Sequence, residues 1–241
     1  GKLLLTTGDM VRVIKSPDFD RKKVAFFMPS GNGPCRFGQY HRLHRLILDD
    51  LGYPDVPIYS PTQDEHLYRD LHMMGKNFTR LGWQGMVAID LLEKKLRETR
   101  PYEVQAGESD RVFQLYLRKA YEAVRDSKDD PAYCMEGLVQ ALQDARRDFD
   151  SLPTVNRGSK PRIGVVGEIY IRSNDFSNEH IVRSLEKLGG EVWLPPISEW
   201  FLYLNFTSRR YSMQNRSYGN FLKTYITELV QKRDEHKMDH I

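Results

Sequence analysis

The stretch "KVAFFMPSGNGPCRFGQYHRLHRLILDDLGYPDVPIYSP", residues 23–61, carries the pattern from which the fold is read. "KVAFFMP" (23–29) is a short apolar run suited to a buried parallel strand. The turn "SGNGP" follows, then a helix to about Leu51 that Gly52 stops. "VPIYSP" (56–61) is the next strand. Ligands of open α/β sheets gather outside the carboxyl ends of the strands, where the turn lies. Gly31 and Gly33 open backbone conformations closed to other residues. Pro34 suits a helix's first turn, where its missing N–H costs nothing. Cys35 then stands at the positive end of the helix dipole, which favours the thiolate, a nucleophile and metal ligand. Arg36 opposes that dipole unless an anion is near, and Gln39 and Tyr40 could reach such a ligand by hydrogen bonds. The plainer alternative makes Cys35 buried filler in a βα loop. His41 and His44 lie three apart, a spacing more common for surface residues than for metal ligands.

The same pattern returns further along the chain. "PRIGVVGE" (161–168) reads as a strand, "SNEHIVRSLEKLGG" (177–190) as a capped helix and "EVWLPP" (191–196) as a strand. The expected fold is therefore α/β, with two Rossmann-like (flavodoxin-like) parallel-sheet units around a helical middle. Residues 1–152 form the first unit with the helical segment and 153–241 the second, joined through the polar "DSLPTVNRGSKP" (150–161). In the middle, Met135, Leu138, Leu142, Ala145 and Phe149 make one apolar stripe. Phe113, Leu117, Ala120 and Val124 make another, and Met86, Ile89, Leu92 and Leu96 a third. A last helix over about 216–238 is expected to bury Leu222, Ile226 and Leu229.

Glu168, Tyr170, Arg172 and Asn174 follow the second unit's first strand, again where a ligand crevice would lie. Ser177 or Asn178 can cap the helix after them. Arg172 could meet a phosphate or an acidic partner there, or pair with Glu168 to close the loop.

Composition sets broad limits. The 241 residues are 40% hydrophobic and 29% charged, an ordinary globular balance. A net charge of +3 gives no argument for nucleic acid or membrane. No apolar run approaches the roughly 20 residues of a membrane span, and the expected location is the cytoplasm. The two cysteines, Cys35 and Cys134, show no zinc spacing. One cysteine cannot hold a metal cluster, so a cluster needs ligands from elsewhere or from another copy, and a homodimer is open. The start at Gly1 without methionine reads as a piece of a longer polypeptide.

"FFMPSGNGPCRFGQYHRLHRLILDDLGYPDVPIYSP" resembles the GPCRFGQY segment of the large CoA-substrate-specific enzyme activases, relatives of 2-hydroxyglutaryl-CoA dehydratase and benzoyl-CoA reductase components. "PRIGVVGEIYIRSNDFSNEHIVRSLEKLGGEVWLPPISEW" is similar to the GE-x-Y-x-R segment of the same family. The resemblance implies a dehydratase-like module with a 4Fe-4S cluster. It would work beside an ATPase activator domain or subunit that delivers electrons, on acyl-CoA thioesters. Cys35 is the one residue here that matches a cluster ligand.

Other readings stay beside this one. A non-catalytic module would bind CoA, phosphate or a protein and leave Cys35 structural. "FLYLNFTSRRYSMQNRSYGNF" (201–221) interleaves Arg209, Arg210 and Arg216 with aromatics, as single-strand binders do, though a packed amphipathic element explains it as well. No GxSxG, HExxH, GxGxxG or Walker A string is present.

Overall fold

The computed structural model describes residues 2–31, 36–62, 71 and 75–239. The chain divides into two compact units, Gly1–Met73 and Met74–Ile241. The division expected at 152–153 falls inside the second unit.

In the first unit, α1 (Lys2–Ile14) is followed by β1 (Phe26–Phe27), a 3₁₀ turn (Arg36–Gln39), α2 (Tyr40–Asp50) and β2 (Ile58–Tyr59). β1 and β2 pair in parallel, Phe26 opposite Ile58. Gly52, at φ +86°, ends α2 in the left-handed conformation. Arg45 holds the return of the chain, with Nε on Asp49 at 2.8 Å and its terminal nitrogens donating to the carbonyls of Tyr53 and Val56.

The second unit is built on three helices, α3 (Phe78–Thr99), α4 (Glu108–Arg125) and α5 (Pro131–Ser151). Asp130 caps α5 by accepting from the Ala132 N–H at 2.8 Å, and Pro131 occupies the first turn. The stripe Met135, Leu138, Leu142, Ala145, Phe149 is the buried face of α5. On α4 the buried line is Val112, Tyr116 and Ala120; of the expected stripe Ala120 is on it, while Phe113 and Val124 are half-buried against the core. On α3, Trp83, Val87, Ala88, Leu92 and Leu96 face the core and Ile89 is exposed.

β3 (Arg162–Gly164), α6 (Ile169–Ser173), α7 (Ile181–Lys187) and β4 (Glu191–Trp193) form a second parallel pair, with Ile163 opposite Val192. Three side-chain contacts bind it to the helices, one of them from Arg183 of α7 to Asp110 of α4 at 2.6 Å. Arg100, at the end of α3, donates to both oxygens of Glu186 on α7 at 2.8 Å and to Asp110 on α4 at 3.1 Å. The Tyr102 hydroxyl donates to Glu191 of β4 at 2.7 Å. α8 (Ser198–Gln214) and α9 (Tyr218–Asp239) complete the unit as a helical hairpin. Asp90 of α3 accepts from the N–H groups of Ile197 and Ser198 at 3.0 and 2.8 Å and so fixes the start of α8.

The expectation of two Rossmann-like parallel-sheet units is overturned. Among the described residues the structure is 65% helical, and the two sheets found there have two strands each. The strands lie inside the apolar runs that announced them but pair over only two or three residues. Pro29, Pro57, Pro61, Pro161 and Pro195 lie at the edges of those runs, and each lacks the N–H that a longer ladder would use. Helices bury most of the apolar surface instead.

The last helix is corrected as well. Leu222, Ile226 and Leu229 are 57%, 52% and 49% exposed, and α9 buries Glu228, Gln231, Asp234 and Met238. The inward polar groups have partners. Asp234 accepts two bonds from Arg80 and one from Gln84, at 2.9–3.0 Å. Gln231 accepts from the Trp83 indole through its carbonyl and from Asn205 through its side chain. Hydrogen-bonded burial of polar groups leaves the apolar stripe facing out. Among the described residues, no helix is long and apolar enough to cross a membrane.

Candidate functional site

The two segments singled out in the sequence both follow the first strand of a parallel pair. In the first unit, the Ser30 N–H donates to the Pro61 carbonyl at 2.8 Å, extending the ladder by one bridge to Thr62. Cys35 and Gly33 lie outside the described residues, as does Pro34. Arg36 and Gln39 are exposed and Tyr40 is half-buried. Gly38 is buried, and a methyl group there would collide with the Gly31 carbonyl oxygen. The Ser30 hydroxyl donates to the Gly38 carbonyl at 3.2 Å. Strand end and helix start are thereby held together across the turn. The reading of the sequence weighed Gly31 and Gly33 for conformational freedom and passed over Gly38, whose role is close approach.

His44 is no surface residue. It is 1% exposed, with Nε2 3.0 Å from the Thr6 hydroxyl of α1 and the Tyr40 ring edge-on at 6.3 Å. Burial pushes its pKa below the ordinary histidine value, the Leu3 backbone raises it in part, and His41 lowers it further. The imidazole is neutral at pH 7, and among the described residues its buried Nδ1 has no hydrogen-bond partner.

In the second unit, Glu168 caps α6 by accepting from the Ile171 N–H at 3.0 Å. Arg172 donates to the Pro195 carbonyl at 3.2 Å, joining the loop after β3 to the loop after β4 at their carboxyl ends. Its Nε is buried without a hydrogen-bond partner among the described residues. The Asn174 side chain accepts from the Ser177 N–H and hydroxyl at 2.9 and 2.8 Å and donates to the Tyr170 hydroxyl at 3.4 Å. Asn178 donates to the carbonyls of Ile171 and Arg172 and accepts from the Ile181 N–H, closing one helix and opening the next. Glu168, Tyr170, Arg172 and Asn174 are thus gathered in one strand–loop–helix turn. Arg36, Gln39 and Tyr40 lie in the other unit.

Among the described residues no group of three or more His, Cys, Asp or Glu could hold a metal ion. Cys134 is fully buried in the first turn of α5, and burial together with Asp234 pushes its thiol up to about 11. It is a packed hydrophobe, unsuited to ligation as a thiolate. The described residues therefore do not make a cluster's ligand set.

No family model matches the chain, and neither a curated protein nor a solved structure does.

Proposed function

We propose that this chain is part of an iron-sulfur activase or dehydratase-like protein of acyl-CoA metabolism, in which ATP-driven electron transfer supports 2-hydroxyacyl-CoA dehydration or a related reduction. One observation supports the reading. Two family-like strings, GPCRFGQY and GE-x-Y-x-R, occur in the chain, and the described part of each, Arg36–Tyr40 and Gly167–Arg172, falls between the two strands of a short parallel pair. In this reading Cys35 is one cluster ligand, and the remaining ligands come from outside the described residues. Arg36 balances charge beside it, Gln39 and Tyr40 support the turn, and Arg172 faces a CoA phosphate. An ATPase activator is the partner. The family likeness sets a prior for chemistry that only the site can test.

Anaerobic reconstitution with iron and sulfide tests it, on the protein carrying this chain and on its Cys35→Ser variant. The expected result is a 4Fe-4S spectrum that is lost or shifted in the variant. No iron uptake, or an identical cluster in the variant, removes Cys35 as a ligand. The guanidinium held at the ends of β3 and β4 favours a second reading, a module that binds CoA or phosphate without redox chemistry. CoA binding that falls with Arg172→Gln in an iron-free protein would establish it.

A further inference from the structure

The α8–α9 hairpin is inverted relative to a water-facing helical pair. Asn205, Ser212, Glu228, Gln231 and Asp234 are turned inward, while aromatic and aliphatic side chains face out. Core-facing helices normally show the reverse pattern. On α8 the outer row runs Glu199, Tyr203, Phe206, Arg210, with steps of four, three and four, so the four share one face. Both aromatics are 53% exposed, and the charged residues at the two ends are exposed too. On α9, Tyr218, Leu222, Tyr225 and Leu229 step in the same way and are 42–73% exposed. At the ~150–250 Å² an aromatic side chain can bury, this face leaves on the order of 700 Å² of apolar surface in water. A standard interface covers about 800 Å² on each partner.

We propose that this face docks a second copy of the chain, with α8 antiparallel to α8 about a two-fold axis. The order of residues along the row favours this occupant. Glu199 and Arg210 are equidistant from the centre of the row, and so are Tyr203 and Phe206. Reversing the helix therefore sets Glu199 opposite Arg210 of the second copy, twice by symmetry, with the aromatic pairs between them. An isologous contact requires such self-complementarity. The 4-3-4 spacing is that of a knobs-into-holes seam, and the apolar row of α9 widens the contact alongside it. The inference goes beyond the iron-sulfur reading and does not rest on it.

Sedimentation equilibrium of the whole chain over about 1–100 µM tests the proposal. The expected result is a dimer. Glu199→Arg alone and Arg210→Glu alone each place like charges in register and should weaken association at least tenfold. Mixing the two variants makes both pairs opposite again and should restore the dimer. Tyr203→Asp should give a monomer whose helical circular dichroism and melting temperature match the parent chain's diluted to monomer. A wild-type monomer across the range overturns the proposal, including one that binds anionic vesicles or single-stranded RNA through this face. A dimer indifferent to the charge variants overturns it as well. So does a monomer that Tyr203→Asp destabilises, because the face would then pack within its own chain.

Discussion

Cys134 shows at the scale of one residue what the helical core does to a thiol. The fold holds the proton of this group to higher pH than the unfolded chain does, because burial disfavours the thiolate and Asp234 adds like charge. The sign follows from linkage: the contribution is complete below the ordinary value of 9.0 and is lost as pH rises toward about 11. The loss is about 3 kcal/mol in all. Urea unfolding at pH 8.5 and 10.5 should show a steeper fall for the parent than for Cys134→Ala, and equal falls would remove the thiol as the cause. Tyr116, bonded to Asp148 at 2.6 Å and raised to about 12, loses its proton later and is common to both proteins. The sequence placed Cys134 at the start of a helix, and its burial follows from the stripe that begins at Met135. Gly38 was harder to read, because a glycine required by a neighbouring carbonyl looks like any other glycine until the neighbour is known. His44 was hidden for a similar reason: the hydroxyl that meets it lies on α1, 38 residues away.

At the scale of elements, Arg100 determines how the second strand pair sits on the three helices. Its side chain and that of Glu186 are each 8% exposed, and Asp110 binds both Arg100 and Arg183. Arg100→Ala leaves Glu186 buried without its partner, and such losses cost about 3–5 kcal/mol. Chemical denaturation should show that drop, whereas Arg111→Ala, on the exposed side of α4, should leave stability close to that of the parent. All four strands were legible because proline and glycine punctuate them locally. The size of the sheets was not, since the number of neighbours a strand acquires is decided far along the chain. Strand-like runs edged by proline, at both ends in the case of Pro57 and Pro61, already carried a warning. The orientation of α9 was illegible for a different reason. An apolar stripe is assigned to the core on the premise that the opposite side meets water, and in α9 the opposite side meets Arg80, Gln84 and Trp83.

For the whole molecule, the question is where one folding unit ends. The contiguous core runs from Trp83 to Met238 and lies entirely in the second unit. Residues 74–241 expressed alone should therefore keep their helical signal and unfold cooperatively. Residues 153–241 alone should not, because β4 and α7 are held by Tyr102 and Arg100 and α9 by Arg80, Trp83 and Gln84. A cooperative transition in the shorter piece would restore the boundary read from the polar linker. That linker looked like a boundary by composition, yet it is strapped to the turn after α3. The Val155 N–H donates to the Tyr102 carbonyl, and Thr154 bridges to Glu103. The bonds that seat α9 on α3 also span about 150 residues of sequence. A ribosome adding ~5–20 residues per second needs roughly 10–30 s to cover that distance. Throughout that interval the nascent chain holds the guanidinium of Arg80, the amide of Gln84 and the indole of Trp83 without the carboxylate and carbonyl meant for them. The three-helix core is thus made early and closed late, with one side left open until the last helix is made.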